Sequence, residues 1–218
     1  MTRRLRRWVI IGLLAAVGVV VAIAAARPPY LPVIHGTDDA EVARIAAWLR
    51  IEPGTRVADI GAGDGAFALA LARRVGPQGH VYATEIDERL LAGMQRAVKQ
   101  ERVENLTVIK AGVSRTNLPD GCCDAVLSRA VYHHLSDHAA INADLFRLLR
   151  PGSRLLMIDF EPGGIMNWIG IGHSAEPDRG HGTLKAAMVK EVTAAGFQLA
   201  RGPVSWRGRT YAVLFTRP

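Results

Sequence analysis

The sequence predicts an α/β fold: a seven-stranded, mostly parallel sheet finished by an antiparallel hairpin, behind one N-terminal helix apolar enough to cross a bilayer. Three observations carry the prediction. Strand and helix patterns alternate from residue 37 onward. Two strand-like runs follow one another directly near the C-terminus, and consecutive strands with a short connection pair antiparallel. The 19 residues from Trp8 to Ala26 carry no charge.

The elements follow in order. Residues 1–27 form an anchor or signal segment. Arg3, Arg4, Arg6 and Arg7 precede the uncharged run and Arg27 closes it. About 20 apolar residues span the hydrocarbon core as a helix, and Trp8 suits an interface. A retained single-pass anchor and a signal peptide cut after Ala24-Ala25-Ala26 both fit. With Gly12, Gly18 and no polar face, the run lacks the amphipathicity of a surface-lying helix. Residues 28–36, with Pro28, Pro29 and Pro32, read as an extended linker. The domain is residues 37–218. Thr37 is the expected N-cap of a first helix striped by Val42, Ile45, Ala46 and Leu49 and stopped at Pro53-Gly54. Strands are expected at 56–60, 79–86, 106–110, 124–128 and 154–160, with helices at 65–75, 88–101 and 136–149. A last helix at 184–195 leads into strands at 197–202 and 209–216.

Charge excludes one class of partner. The formal net charge is +7, but five arginines and no acid lie in residues 1–27, leaving 22 basic and 20 acidic residues in the body. No polyanion-binding face follows, so no nucleic-acid partner is expected. The two cysteines, Cys122 and Cys123, are adjacent and cannot close a stabilising loop, which fits a reducing compartment. His134 and His138 stand at helical spacing, but the helix is expected to begin only at Ser136, so no metal site is expected.

The chemistry concentrates at the first strand-to-helix turn, Val57-Ala58-Asp59-Ile60-Gly61-Ala62-Gly63-Asp64-Gly65. Its glycines let the backbone turn tightly and approach a ligand. Glu85, about 20 residues on at the end of the second strand, can accept hydrogen bonds from both hydroxyls of a ribose. Gly61, Gly63 and Ala66 also satisfy a dinucleotide fingerprint. Asp59 decides between the two ligand types: a carboxylate at that turn repels a pyrophosphate and pairs with the ammonium of a methionine moiety.

At this point the sequence resembles the class I S-adenosylmethionine-dependent methyltransferases over nearly all of residues 37–218. The likeness rests on the glycine motif, on Glu85, on the stretch Leu118–Leu127 leading into the fourth strand, and on Leu149–Asp159 leading into the fifth. It is nearest to the quinone C-methyltransferases and small-molecule methyltransferases, through Val131-Tyr132-His133-His134-Leu135. The resemblance implies a Rossmann-like fold and S-adenosylmethionine as cofactor. Asp59, Gly61, Ala62, Gly63 and Gly65 would hold its methionine end with Ser128 nearby, Glu85 its ribose, and Ile86 its adenine. The family usually carries an acidic residue after the third strand. Here Ala111-Gly112-Val113-Ser114-Arg115 stands there, and backbone groups of Gly112 and Val113 could substitute.

Methyl transfer needs in-line positioning and exclusion of water more than covalent help. An acceptor that must shed a proton needs a base, and Tyr132, His133 and His134 follow the fourth strand at the ligand-binding edge. Capping and solvating that loop is the plainer reading of the same residues. Asp159, Glu161, His173 and His181 lie on or after the fifth strand, and the apolar stretch Pro162–Gly172 is long enough to lid a pocket or press on a bilayer. The expected acceptor is a small apolar molecule, quinone-like or lipid. The anchor would tie the enzyme to the inner (plasma) membrane through residues 8–26. The arginines before it favour an outward body, whereas a cofactor made in the cytoplasm requires an inward one; the expectation follows the cofactor. Export after signal cleavage, protein methylation at the membrane, a nicotinamide-dependent oxidoreductase and a non-catalytic domain are the competing readings.

Overall fold

A computed structural model of the chain describes residues 37–162 and 182–218. The expected membrane segment, the linker, most of the Pro162–Gly172 stretch, His173 and His181 lie outside them. Among the described residues no helix is long and apolar enough to cross a membrane.

The first helix, α1 (Asp39–Leu49), starts one residue later than Thr37 would place it, because the Asp38 side chain accepts from the amide of Ala40. It also ends before Pro53-Gly54. Arg50 adopts a left-handed conformation (φ 57°) and its amide closes the last turn on the carbonyls of Ala46 and Ala47. Strand β1 (Arg56–Ile60) then leads through the glycine turn into α2 (Ala66–Val75). There follow β2 (His80–Glu85), α3 (Glu88–Glu101) and β3 (Leu106–Lys110). Strand β4 (Cys123–Arg129) is followed by one 3₁₀ turn (Tyr132–His134), α4 (His138–Leu148) and β5 (Leu149–Phe160). The chain finishes with α5 (Lys185–Ala194), β6 (Gln198–Ser205) and β7 (Thr210–Thr216).

The seven strands form one sheet in the order β3-β2-β1-β4-β5-β7-β6. All neighbours are parallel except β7, which runs against both β5 and β6, as the closing hairpin predicts. Strands β1 and β4 lie side by side at the centre, so the chain leaves β1 toward one edge and returns from β4 toward the other. Ligands of such sheets bind at that switch, outside the carboxyl ends.

Two apolar layers sandwich the sheet. On one face Ile45, Leu49, Phe67, Leu71, Val75 and Met94 from α1, α2 and α3 meet Val57, Ala125 and Leu127. On the other, Leu145 and Leu148 of α4 and Met188 and Val192 of α5 pack on Val126, Leu155 and Val213. Fully burying each such side chain contributes about 1.5–3 kcal/mol, enough to hold the strand ends and the loops above them in place.

Candidate active site

The site is built where β1 hands the chain to α2. Gly61, Gly63 and Gly65 all have positive φ, and they serve different ends. A Cβ on Gly61 would come within 2.5 Å of the Val131 side chain, and one on Gly65 within 2.4 Å of Met94, so these two permit close packing. A Cβ on Gly63 would meet nothing within 4 Å. Its bareness leaves an open cradle above the turn.

Two acids flank that cradle. Asp59 is buried at 3% exposure, and its Oδ2 has no hydrogen-bond partner. Burial pushes its pKa up to about 7; the Arg129 charge opposes the rise, and Glu85 and Asp64 add to it. Glu85 closes over the turn: its Oε2 accepts from the Gly63 amide at 2.9 Å, and its Oε1 from the amides of Ile86 and Asp87 at 2.7 and 3.1 Å. Oε2, with that one bond, keeps a lone pair for a ligand hydroxyl.

Beside Glu85 the apolar side chains of Ile86 and Val113 are 60% and 67% exposed, although both stand at the ligand edge of the sheet. The Ala111 amide donates to the Glu85 carbonyl at 2.9 Å, which ties the loop bearing Gly112 and Val113 to the end of β2. Ser128 is buried and pairs with Ile60 across β1 and β4. The turn, Asp59, Glu85, Ile86, Gly112, Val113 and Ser128 therefore gather along one sheet edge, as the sequence predicts.

The residues after β4 divide. Ala130 takes a left-handed conformation (φ 57°), its amide bonding to the Ile158 carbonyl at 2.7 Å, and this sharp turn lays Val131 on Gly61. His133 then reaches β5. Its Nδ1 lies 2.8 Å from Asp159 Oδ1, its amide donates to Asp159 Oδ2 at 3.0 Å, and its ring packs 4.4 Å from Phe160. With the carboxylate accepting, Nδ1 presents a hydrogen to Asp159, and this bond fixes the orientation of the ring. Both side chains are almost wholly buried, at 3% and 0% exposure. His134 is exposed, its ring 3.9 Å from that of His133.

Tyr132 turns inward instead. Its hydroxyl donates to Glu191 Oε2 at 2.8 Å and accepts from Asn142, and its ring stacks on His138, whose Nδ1 is 2.7 Å from Glu191. This buried network braces the loop against α4 and α5. His138 is engaged within it, so the His134–His138 spacing does not make one cluster.

Sequence reasoning passed over two residues here. The sequence places Asp159 on or after the fifth strand without joining it to His133, and it gives Arg129 no role. The alternation rule held the second signal: Arg129 stands two residues beyond Leu127, the partner of Asp59, and so faces the same side of the sheet.

An unpartnered buried carboxylate oxygen, an acid over a bare glycine turn and two exposed apolar side chains beside it fit a zwitterionic nucleoside. Together with the strand order they define the class I S-adenosylmethionine-dependent methyltransferase fold. Comparison with known proteins agrees. Residues 58–157 match the family model described as "Methyltransferase domain". Over 120 residues the chain is 27% identical to demethylmenaquinone methyltransferase of Listeria welshimeri, covering 55% of this chain and 51% of that one. Over 109 residues it is 31% identical to the ubiquinone/menaquinone biosynthesis C-methyltransferase of Vibrio campbellii, covering 50% and 42%. The chain thus spans about half the length of the curated relatives it matches.

Among solved structures, an S-adenosylmethionine-dependent methyltransferase from Aquifex aeolicus superposes with a TM-score of 0.65 at 20% identity, covering 84% of this chain and all of that one. Phosphoethanolamine N-methyltransferase 2 of Haemonchus contortus, solved with S-adenosyl-L-methionine, gives 0.61 at 18% identity, covering 76% and 39%. Residues 58–157 thus carry a methyltransferase-domain sequence, and the fold is that of the class I S-adenosylmethionine-dependent methyltransferases, whose cofactor is S-adenosylmethionine.

Proposed function

We propose that the chain transfers a methyl group from S-adenosylmethionine to a small apolar acceptor, a hydroquinone-like ring. The observation that carries this reading is the shared edge: the acid-flanked glycine turn and the His133–Asp159 pair both lie at the carboxyl ends of adjacent central strands. The names of the quinone-methylating relatives support the acceptor class.

The cofactor supplies an electrophilic methyl on a sulfonium sulfur, already a good leaving group. Asp59 takes the ammonium of the methionine moiety and Glu85 the ribose hydroxyls, while Ile86 and Val113 offer apolar surface to the adenine. Gly112 and Val113 supply backbone groups beside it. His133 removes the proton that the acceptor loses on gaining methyl: Asp159 holds the ring so that Nε2 is the accepting nitrogen, and burial keeps water from competing. Tyr132 positions the loop through Glu191, and His134 lines its outer side. Residues 8–26 anchor the enzyme in the inner membrane with the domain facing the cytoplasm. The uncharged run supports the anchor, and the cytoplasmic origin of the cofactor supports the orientation against the pull of the arginines before the run; an acceptor dissolved in lipid fits it.

The test titrates the purified full chain calorimetrically with S-adenosylmethionine and with NADH, then follows labelled methyl into a demethylated naphthohydroquinone in detergent. The expected result is binding of the first ligand only and transfer of label. His133→Asn should lower turnover by about 10²–10⁴-fold with cofactor affinity unchanged. Binding of NADH alone, or no label in the acceptor, contradicts the proposal.

A further inference from the structure

The two cysteines of the chain have no part in the scheme above. Cys122 ends the loop before β4 and Cys123 opens the strand, at the end of the sheet opposite the glycine turn. Neighbouring side chains of an extended strand point to opposite faces. Here the two sulfurs lie 2.6 Å apart, roughly half an ångström beyond an S–S bond of ~2.05 Å. The backbone is irregular on both sides of the pair. Before it, Gly121 takes a left-handed conformation (φ 56°), and after it the strand is bulged between Cys123 and Ala125. Two arginines fix this geometry: the Arg147 guanidinium donates to the Leu118 carbonyl at 2.7 Å, and Arg150 Nε donates to the Gly121 carbonyl at 2.9 Å.

The two thiols are not equivalent. Cys123 is fully buried, whereas Cys122 keeps 6% exposure. Contact with Cys123 draws the Cys122 thiol below its ordinary range, and the charges of Arg56 and Arg147 act the same way against burial. The same contact, with burial, pushes the Cys123 thiol up. The sulfur that meets solvent is thus the one readier to ionise, the division of labour between an attacking and a resolving thiol. A disulfide between neighbours closes too short a loop to stabilise the fold through chain entropy. A trans peptide also holds their Cα atoms ~3.8 Å apart, below the range of about 4.4–6.8 Å that disulfides prefer. Such a bond is strained and readily reduced, so it acts as a reversible modification and not as a staple.

We propose that Cys122 and Cys123 form a modification site at which a small hydroperoxide converts the adjacent thiols to a disulfide. The Cys122 thiolate attacks the peroxide and takes its terminal hydroxyl as a sulfenic acid; the O–O bond breaks and the other oxygen leaves, gaining a proton, as alcohol or water. Cys123 then attacks the Cys122 sulfur. The S–S bond forms, the S–O bond breaks, and the hydroxyl departs with the Cys123 proton as water. The two cysteines give up two electrons and the hydroperoxide is reduced. The narrow opening at Cys122 selects this oxidant, since a bulky disulfide cannot reach so enclosed a sulfur. The site stands at the far end of the sheet and does not depend on the acceptor reading.

The test treats the reduced full chain with equimolar hydrogen peroxide or with oxidised glutathione. Remaining thiols are then blocked with N-ethylmaleimide in denaturant, and the tryptic peptide from Thr116 to Arg129, which carries both cysteines, is weighed. With peroxide the peptide should be lighter by two hydrogens, carry no maleimide and be restored by dithiothreitol. Oxidised glutathione should act about tenfold or more slowly. Cys123→Ser should stop at a sulfenic acid that dimedone traps, and Cys122→Ser should lose its thiol about tenfold or more slowly than Cys123→Ser. If either variant does not fold, the peptide of the parent chain decides. A parent peptide that keeps both thiols, gains oxygen without losing two hydrogens, or links to a second chain overturns the assignment. So does equal reactivity of the two serine variants, or oxidised glutathione acting as fast as peroxide.

Discussion

Asp59 is a residue kept at the expense of the fold. An ordinary aspartate ionises near 3.8, and this one is pushed up to about 7 by burial. The folded chain therefore favours the protonated form. Folding loses nothing below the unfolded pKa, loses stability progressively as pH rises from about 4 to 7, and keeps that loss at higher pH. At ~1.4 kcal/mol per pKa unit the loss amounts to a few kcal/mol. Asp59→Asn should accordingly gain on the parent chain by a few kcal/mol between pH 4 and pH 7.5 in urea unfolding, while losing affinity for S-adenosylmethionine. A stability difference flat across that range would show that the carboxylate is not strained by burial. Asp59 and Glu85 were legible in the sequence because their spacing from three glycines is local. The His133–Asp159 contact was not, since 26 residues separate the pair and only the adjacency of β4 and β5 brings them together.

At the scale of elements, the glycine turn separates packing from ligand access. Gly61 and Gly63 share the same backbone strain, but only Gly61 faces a side chain, that of Val131. Gly61→Ala should destabilise the fold by about 2–4 kcal/mol, adding overpacking to a left-handed alanine. Gly63→Ala should cost only about 1 kcal/mol for the left-handed residue and yet weaken the cofactor, because its methyl would enter the open cradle. Thermal unfolding beside calorimetry checks both; equal destabilisation with cofactor affinity intact in Gly63→Ala would remove the cradle from the account. The sequence marks every described strand and α-helix, and its errors fall at their ends. Pro151-Gly152 reads as a loop, so the fifth strand was expected from residue 154. Instead α4 runs directly into β5 at Leu149, and a bulge between Cys123 and Ala125 absorbs the shift. The expected start of the fourth helix at Ser136 fell short because a 3₁₀ turn takes up Tyr132–His134 and Asp137 caps the helix proper.

At the scale of the whole molecule, the alternation of strands and helices predicted a parallel sheet and the last two strands predicted the hairpin, while the strand order could not be read from one sequence. That order is what matters most for function. It sets β1 beside β4, so the glycine turn, Arg129 and the loop bearing His133 converge on one edge although they are distant along the chain. On the proposed reading the cofactor lies across the boundary between those strands, with its amino-acid end at Asp59 and its nucleoside extended toward Glu85 and Ile86. A crystal structure of the full chain grown with S-adenosylhomocysteine tests this placement most directly. The ammonium is expected on Asp59 Oδ2, the ribose hydroxyls on Glu85 and the adenine against Ile86 and Val113. A ligand bound elsewhere, or one seated on the glycine turn with Asp59 still unpartnered, would contradict it.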